Sequence, residues 1–258
     1  MKDTTDWFPP ASEPQPMRPA MAGMKPSLPK RFYKEAGLEE RDGVYMLTLD
    51  GRPARTPSRQ RLAVPTRALG EALAAEWHAQ GDEIDPSTMP ITRIVNSTID
   101  GVAPRLAEVV DDLVRYAGSD MVCYRAADPE RLAKAQEEAW RPVLDWAKET
   151  HGAGFALAEG VMHVEQPQEA VAAIRRAVER VNSPFAIAAL HVMTTLSGSI
   201  LLALAHAQGH LDADTAWNAA HVDEIFQEGL WGEDYEAMDR RQRRKVDFDA
   251  ASQVFRLA

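Results

Sequence analysis

The chain has 258 residues and one cysteine, Cys123. That excludes an internal disulfide framework and any multi-cysteine zinc site, and a reducing compartment is its natural home. Basic residues are also scarce: 29 Lys and Arg against 39 Asp and Glu give a net charge of −10. A nucleic-acid binder needs a basic footprint to neutralise phosphates, so no nucleic acid is expected as a partner. A neutral or locally basic partner fits better. No apolar run near the N-terminus resembles a secretory core, because Asp3, Asp6 and repeated prolines interrupt it. The same acids, with Glu13, do not suit a mitochondrial presequence, and a bacterial cytoplasm is the expected location.

Familiar catalytic signatures are missing as well. There is no Walker loop and no Gly-x-Ser-x-Gly elbow. Gly152-Ala-Gly154 lacks the third glycine and the preceding strand of a dinucleotide site. His163-Val-Glu165 has the form of a deaminase fragment without the paired cysteines that would complete its zinc site.

What is present reads as a soluble globular chain, with 45% hydrophobic and 26% charged residues, enough for a real core. Residues 1–29 carry seven prolines and read as an extended tail. Arg31–Glu35 and Val44–Leu49 read as strands, with Asp50-Gly51 as a hairpin turn and Arg52–Thr56 as the returning edge strand. The period then lengthens to that of helices. Thr66 caps a helix carrying Leu69, Leu73 and Trp77 and ending at Gly81, and Ser87 or Thr88 opens the next, with Pro90 in its first turn. Ile91, Ile94, Val95 and Ile99 form its stripe, and Val109, Leu113 and Val114 form another beyond Pro104.

A long helical pattern from Asp128 contains Pro142, which is expected to kink or divide it. Phe155–Leu157 and Val161–Val164 read as short strands, and Gln168–Val181 as an amphipathic helix. From Val181 to Leu211 there is no Asp, Glu, Lys or Arg. Its length would span a bilayer. His191, Thr194, Thr195, Ser197, Gly198, Ser199 and His206 instead make it a buried core helix, so no stable membrane insertion is expected. Tyr235–Lys245 and a short tail helix to Phe255 follow. The expected fold class is therefore α+β, a small β-rich N-terminal domain followed by a larger all-helical domain. The boundaries are a tail at 1–29, a β-rich domain at 30–100 with one or two helices, and a helical domain at 101–258.

The stretch Trp217–Arg241 concentrates acids and aromatics. Val222, Ile225, Phe226 and Leu230 share the apolar face of a helix, with Asp223, Glu224, Gln227 and Glu228 on the other side. Glu224 and Glu228 stand one turn apart, a like-charge pair that costs an isolated helix a few tenths of a kcal/mol, roughly. Trp231, Asp234 and Glu236 follow directly. The segment is either a binding surface or a solvated helix face ending in a Gly turn.

His221 beside Asp223, Glu224 and Asp234 admits a soluble hydrolase or metal-dependent enzyme as the alternative, although no nucleophile is visible nearby. His206 and His210, one turn apart, have metal-ligand spacing but lack a following Glu, and His191 reads as a hydrogen-bonded core histidine. Cys123 reads as a buried small hydrophobe. Arg240, Arg241, Arg243, Arg244 and Lys245 suit a helix C-terminus and pairing with Glu236, Asp239 and Asp247. No metal and no cofactor are expected.

Several segments together resemble one family. They include Lys30-Arg-Phe-Tyr-Lys34, Leu49-Asp-Gly-Arg-Pro-Ala-Arg-Thr-Pro57, Glu76-Trp77 with Gln80, and Met89-Pro-Ile-Thr-Arg93 with Asn96. Tyr116, Ser119-Asp120, Tyr124-Arg125, Trp140-Arg-Pro142, Leu201–Ala205, Ala216-Trp217, Asp223-Glu224 and Trp231–Ala237 continue the match in order. The chain resembles the assembly chaperones that bind the α subunit of the F-type ATP synthase catalytic head. The resemblance implies a small β-rich domain with a larger helical one and a non-enzymatic activity. It implies a protein that holds the unassembled α subunit until the β subunit replaces it, and a monomer is expected. By position, Asp223, Glu224, Gln227, Glu228, Trp231, Asp234 and Glu236 are the implied client-binding residues, Trp77 is structural, and the Asp50–Arg55 hairpin serves folding. Phe226 and Gly229 make the first helix less polar and looser than the family pattern.

Overall fold

The computed structural model describes residues 28–258 except Val161 and Glu233, so the expected tail lies outside it apart from Leu28 and Pro29. Two compact units are formed, one ending at Pro104 and including Leu257–Ala258, the other Arg105–Arg256. The first holds the main sheet. Strand β1 (Ala36–Arg41) runs antiparallel to β2 (Val44–Leu49), with Ala36 opposite Leu49 and Arg41 opposite Val44. On its other side β2 pairs with two short strands, β3 (Arg52–Pro53) and β4 (Ala63–Val64). Asp42-Gly43 and Asp50-Gly51 turn the chain with both residues at positive φ, which suits the right-handed twist of a two-residue hairpin.

The strand expected at Arg31–Glu35 lies instead at Ala36–Arg41. Asp50 explains the shift: its Oδ1 accepts hydrogen bonds from the backbone N–H of Lys34 and Glu35, each at 2.9 Å, in place of a strand ladder. Helix α1 (Arg67–His78) is capped by Thr66 as expected and buries Leu69 and Leu73 against the sheet, but ends before Gly81. Gly70 permits the close approach, because an added Cβ would stand 3.1 Å from the Leu38 side chain and 3.2 Å from the Tyr45 Cβ. Helix α2 (Pro90–Ser97) is opened by neither Ser87 nor Thr88, which lie in a 3-10 turn capped by Asp85. The carboxylate of Glu76, from α1, accepts from Ile91 N and Thr92 N at 2.7 Å each and satisfies that helix start.

The second unit is helical: α3 (Leu106–Ala117), α4 (Glu130–His151), α5 (Gln168–Glu179), α6 (Pro184–Ser197), α7 (Ile200–Ala207), α8 (Ala213–Ala220), α9 (Val222–Trp231) and α10 (Tyr235–Leu257). A parallel pair of two-residue strands, β5 (Tyr124–Arg125) and β6 (Ala158–Glu159), is its only sheet among the described residues. Residues Phe155–Leu157 are not strand. Gln166 takes their place in pairing, accepting from Ala156 N at 2.9 Å and donating to Ala156 O at 3.0 Å. Val161 lies outside the described residues, and Met162–Val164 are irregular.

Pro142 does not divide α4, because it sits on the exposed face together with Glu138, whose carbonyl loses its helical donor and is free to face water. The uncharged stretch is two helices rather than one. Gly198, at φ 71°, ends α6, and the Ser199 side chain caps α7 by accepting from Leu202 N. Both helices are buried almost throughout, and among the described residues no helix is long and apolar enough to cross a membrane. The C-terminal pattern, expected to break near Lys245, is the single helix α10. The architecture is thus a small sheet-containing N-terminal part followed by a larger helical part, an α+β fold.

Candidate functional site

Helix α9 buries none of its side chains, so polar contacts at its ends hold it in place. Just before it, the Trp140 indole Nε1 donates to Ala219 O at 2.6 Å. Gln136, on the same face of α4 as Trp140, is 3% exposed. Its Nε2 donates to Asp223 Oδ1 at 2.7 Å while its Oε1 accepts from Ala126 N, also at 2.7 Å. One buried amide therefore ties the first turn of α9 to the end of β5. Arg125 supports this floor, with its guanidinium 4.9 Å over the Trp140 ring and paired to Glu137 at 3.2 Å.

From α10, Arg241 reaches Glu228 at 2.7 Å and Glu224 at 3.9 Å. The like-charge pair of the sequence is thus clamped by one guanidinium, with Glu228 the more enclosed of the two. Two further basic residues of the run turn to other partners and one keeps its own. Lys245 pairs with Asp214 and Asp249, Arg244 Nη2 donates to Leu196 O at 2.8 Å, and Arg243 pairs with the predicted Asp239. None of them marks a helix end, because α10 continues to Leu257.

The predicted client-binding residues fall into two groups. Asp223, Glu224, Glu228 and Asp234 have structural tasks, the last as the cap of α10, accepting from Glu236 N at 3.0 Å and Ala237 N at 3.3 Å. Gln227, Trp231 and Glu236 are exposed. The apolar stripe is not a buried face. Val222 and Phe226 are half-buried, whereas Ile225 and Leu230 are exposed, because the Glu228–Arg241 pair fills part of the inward line. Trp231 is 86% exposed and Tyr235 81%, on either side of the Gly232 turn. Sequence reasoning missed Gln136, Arg241 and Tyr235. The adjacency of the acidic and basic runs could have suggested Arg241, whereas Gln136 lies 87 positions from its partner with no local signal.

His221 is buried, with its ring 4.0 Å from that of Trp217 and its Nδ1 donating to Trp217 O at 2.8 Å. Burial lowers its pKa and favours the neutral ring. His206 uses both nitrogens, on Leu211 O and Ser252 Oγ, and His210 stacks on Trp146. His191 meets Asp112 Oδ2 at 2.8 Å in the core. Burial pushes the Cys123 thiol up to about 12, so it stays protonated. Among the described residues no group of three or more His, Cys, Asp or Glu is placed to hold a metal ion. The arrangement presents aromatic and acidic side chains on a helix held by hydrogen bonds and an ion pair.

Known proteins share this architecture. The family model described as ATP12 chaperone protein matches residues 30–148. The Schizosaccharomyces pombe protein described as "Protein atp12, mitochondrial" is 24% identical over 215 residues, covering 79% of this chain and 74% of its own. The crystal structure of Atp12 from Paracoccus denitrificans is similar with a TM-score of 0.83 and 39% identity, covering 89% of this chain and 98% of that one. A putative chaperone from Agrobacterium tumefaciens, also a crystal structure, has a TM-score of 0.87 and 45% identity over 98% of this chain and 95% of its own.

Proposed function

Because the chain belongs to the ATP12 family of ATP synthase assembly chaperones, we propose that it binds the unassembled α subunit of the catalytic head. It keeps that subunit from aggregating until the β subunit takes its place. A subunit destined for an obligate ring exposes large apolar interfaces beforehand, and such surfaces aggregate unless covered. The observation that carries the reading is helix α9, which leaves Leu230 and Trp231 exposed, with Tyr235 just beyond, and has no fully buried side chain. Exposed aromatics that become buried in a complex supply a large share of binding energy. The acids around them steer a locally basic partner. The protein acts by contact rather than catalysis, as a monomer in a bacterial cytoplasm.

Co-expression with tagged α and β subunits tests this directly. The α subunit is expected in the complex and β is not; equal recovery of both, or of neither, sinks the proposal. Leu230→Ser with Trp231→Ala should weaken α capture by roughly tenfold, about 1.4 kcal/mol. Melting should be unchanged, because neither side chain is buried. Gln227→Lys with Glu236→Lys tests the charge. Glu228→Lys does not isolate it, because a lysine there would also face Arg241.

A further inference from the structure

Residues 51–70 contain Arg52, Arg55, Arg59, Arg61 and Arg67 and no Asp or Glu, in a chain whose net charge is −10. Arg67 pairs with Glu40 and Glu71, but the other four are exposed and have no carboxylate within ion-pair distance among the described residues. Arg55 and Arg61 even face each other across an antiparallel bridge, an arrangement that like charges disfavour.

The loop that displays them is tightly held. Asp100 accepts from Thr56 Oγ1 at 2.6 Å and Ser58 N at 3.1 Å, and Arg59 N donates to Thr56 O at 2.8 Å. Arg59 itself sits at φ 65°, a left-handed conformation uncommon outside glycine. Four cations are thus held together, and Asp100, the acid that holds the loop, spends its carboxylate on Thr56 and Ser58 and pairs with none of them among the described residues.

Beside them lies a cleft of about 530 Å³ lined by Phe32, Tyr33 and Trp77 with Arg52 and Arg55. The rings form a ladder, Phe32 edge-on to Tyr33 at 5.4 Å and Tyr33 to Trp77 at 5.6 Å. Tyr33 is buried, anchored by its hydroxyl to Trp77 O at 2.6 Å, whereas Phe32 is 72% exposed. Among the described residues the Trp77 indole N–H has no hydrogen-bond partner. Asp50, the one acid on the rim, already accepts from two backbone N–H groups.

We propose that this cleft docks an acidic segment of a protein partner, with an aromatic or aliphatic side chain against Phe32 and Trp77 and flanking carboxylates on Arg52 and Arg55. Guanidinium groups match carboxylates with paired hydrogen bonds, and an aromatic ladder takes an apolar side chain at the same time. Nucleic acid is the weaker match, because its affinity rests on many phosphate contacts and the rest of this chain repels a long polyanion. An anionic bilayer attracts projecting basic segments but does not enter a recess. The cleft shares no residue with α9, so the assignment stands apart from the client reading above.

Fluorescence anisotropy on the full chain tests it. The probe is a short labelled peptide of Asp and Glu around one Phe, compared with the same peptide carrying Asn and Gln. The acidic peptide should bind more tightly, and Arg52→Glu with Arg55→Glu should weaken it by about tenfold or more. Phe32→Ala should weaken it about threefold, and replacing the peptide's Phe by Ala should do the same. Arg52→Glu and Phe32→Ala taken singly should leave melting unmoved, because both positions are exposed, whereas Arg55 Nη1 donates to Arg59 O at 2.8 Å, so its variant is compared at matched folded fraction. The proposal is overturned if the amide peptide binds as well, or if the variants bind the acidic peptide unchanged. It is equally overturned if oligodeoxythymidine or phosphatidylglycerol vesicles bind more tightly than the peptide with the same arginine dependence. A failed α-subunit capture in the Leu230 and Trp231 variant leaves this result untouched, since no client is present.

Discussion

At the residue scale the interior acids carry the strongest electrostatic statements. Asp120 is fully buried, accepting from Val122 N at 3.2 Å and Leu201 N at 3.1 Å, so one carboxylate caps a 3-10 turn and the start of α7. Burial pushes its pKa up to about 6, with hydrogen bonds from Ser199, Leu201 and Val122 opposing. An acid whose folded pKa lies above its unfolded value holds its proton more tightly when folded. Its contribution is therefore full below the unfolded value and is lost as pH rises through the folded one. Relative to Asp120→Asn, the wild-type stability should fall by roughly 3 kcal/mol between about pH 4 and about pH 6. Urea unfolding of both proteins across that range checks it, and a difference flat in pH would contradict the assignment. Asp112 behaves oppositely. Its hydrogen bond from His191 and the neighbouring Arg115 hold its pKa below the usual range, so its stabilisation is lost as pH falls. Subtracting the variant from the wild type removes that background.

At the scale of elements, α9 is held by its ends and not by a core, which makes Gln136 its critical support. Gln136→Leu would strand the Ala126 N–H and remove the donor to Asp223, for a loss of about 1–3 kcal/mol. Hydrogen exchange should then accelerate across Val222–Trp231 while α6 and α7 keep their protection. Unchanged exchange in α9 would show that the Glu228–Arg241 clamp holds it alone. Gln136→Glu retains the acceptor but faces Asp223 with a second carboxylate, and should disturb α9 more than Gln136→Leu does.

A helix cap was legible where it is local, as at Thr66, whose side chain accepts from a backbone N–H three residues on. β1 was the least legible. Ala36–Arg41 has no β-branched or aromatic residue, and its strand character comes from β2 beside it. The start of α2 was unreadable for a similar reason, since its cap is Glu76 from the preceding helix.

At the scale of the whole molecule, a net charge of −10 and a surface on which Leu230, Trp231 and Tyr235 stand among acids set copies of the chain against one another. Sedimentation at moderate salt is expected to show a single copy, with self-association appearing only at high salt, when the charges are screened. A stable dimer at low salt would mean that the aromatic surface is covered by a second copy. Composition, helical periods and the ordered segments from Lys30 to Ala237 by themselves determined the fold class and the family, because these depend on local patterns and on residue identity. Only the tertiary structure decided which acids of α9 are engaged. Glu228 meets an arginine on the next helix, and Asp223 meets an amide 87 positions away, so both pairings exist only once the helices have packed.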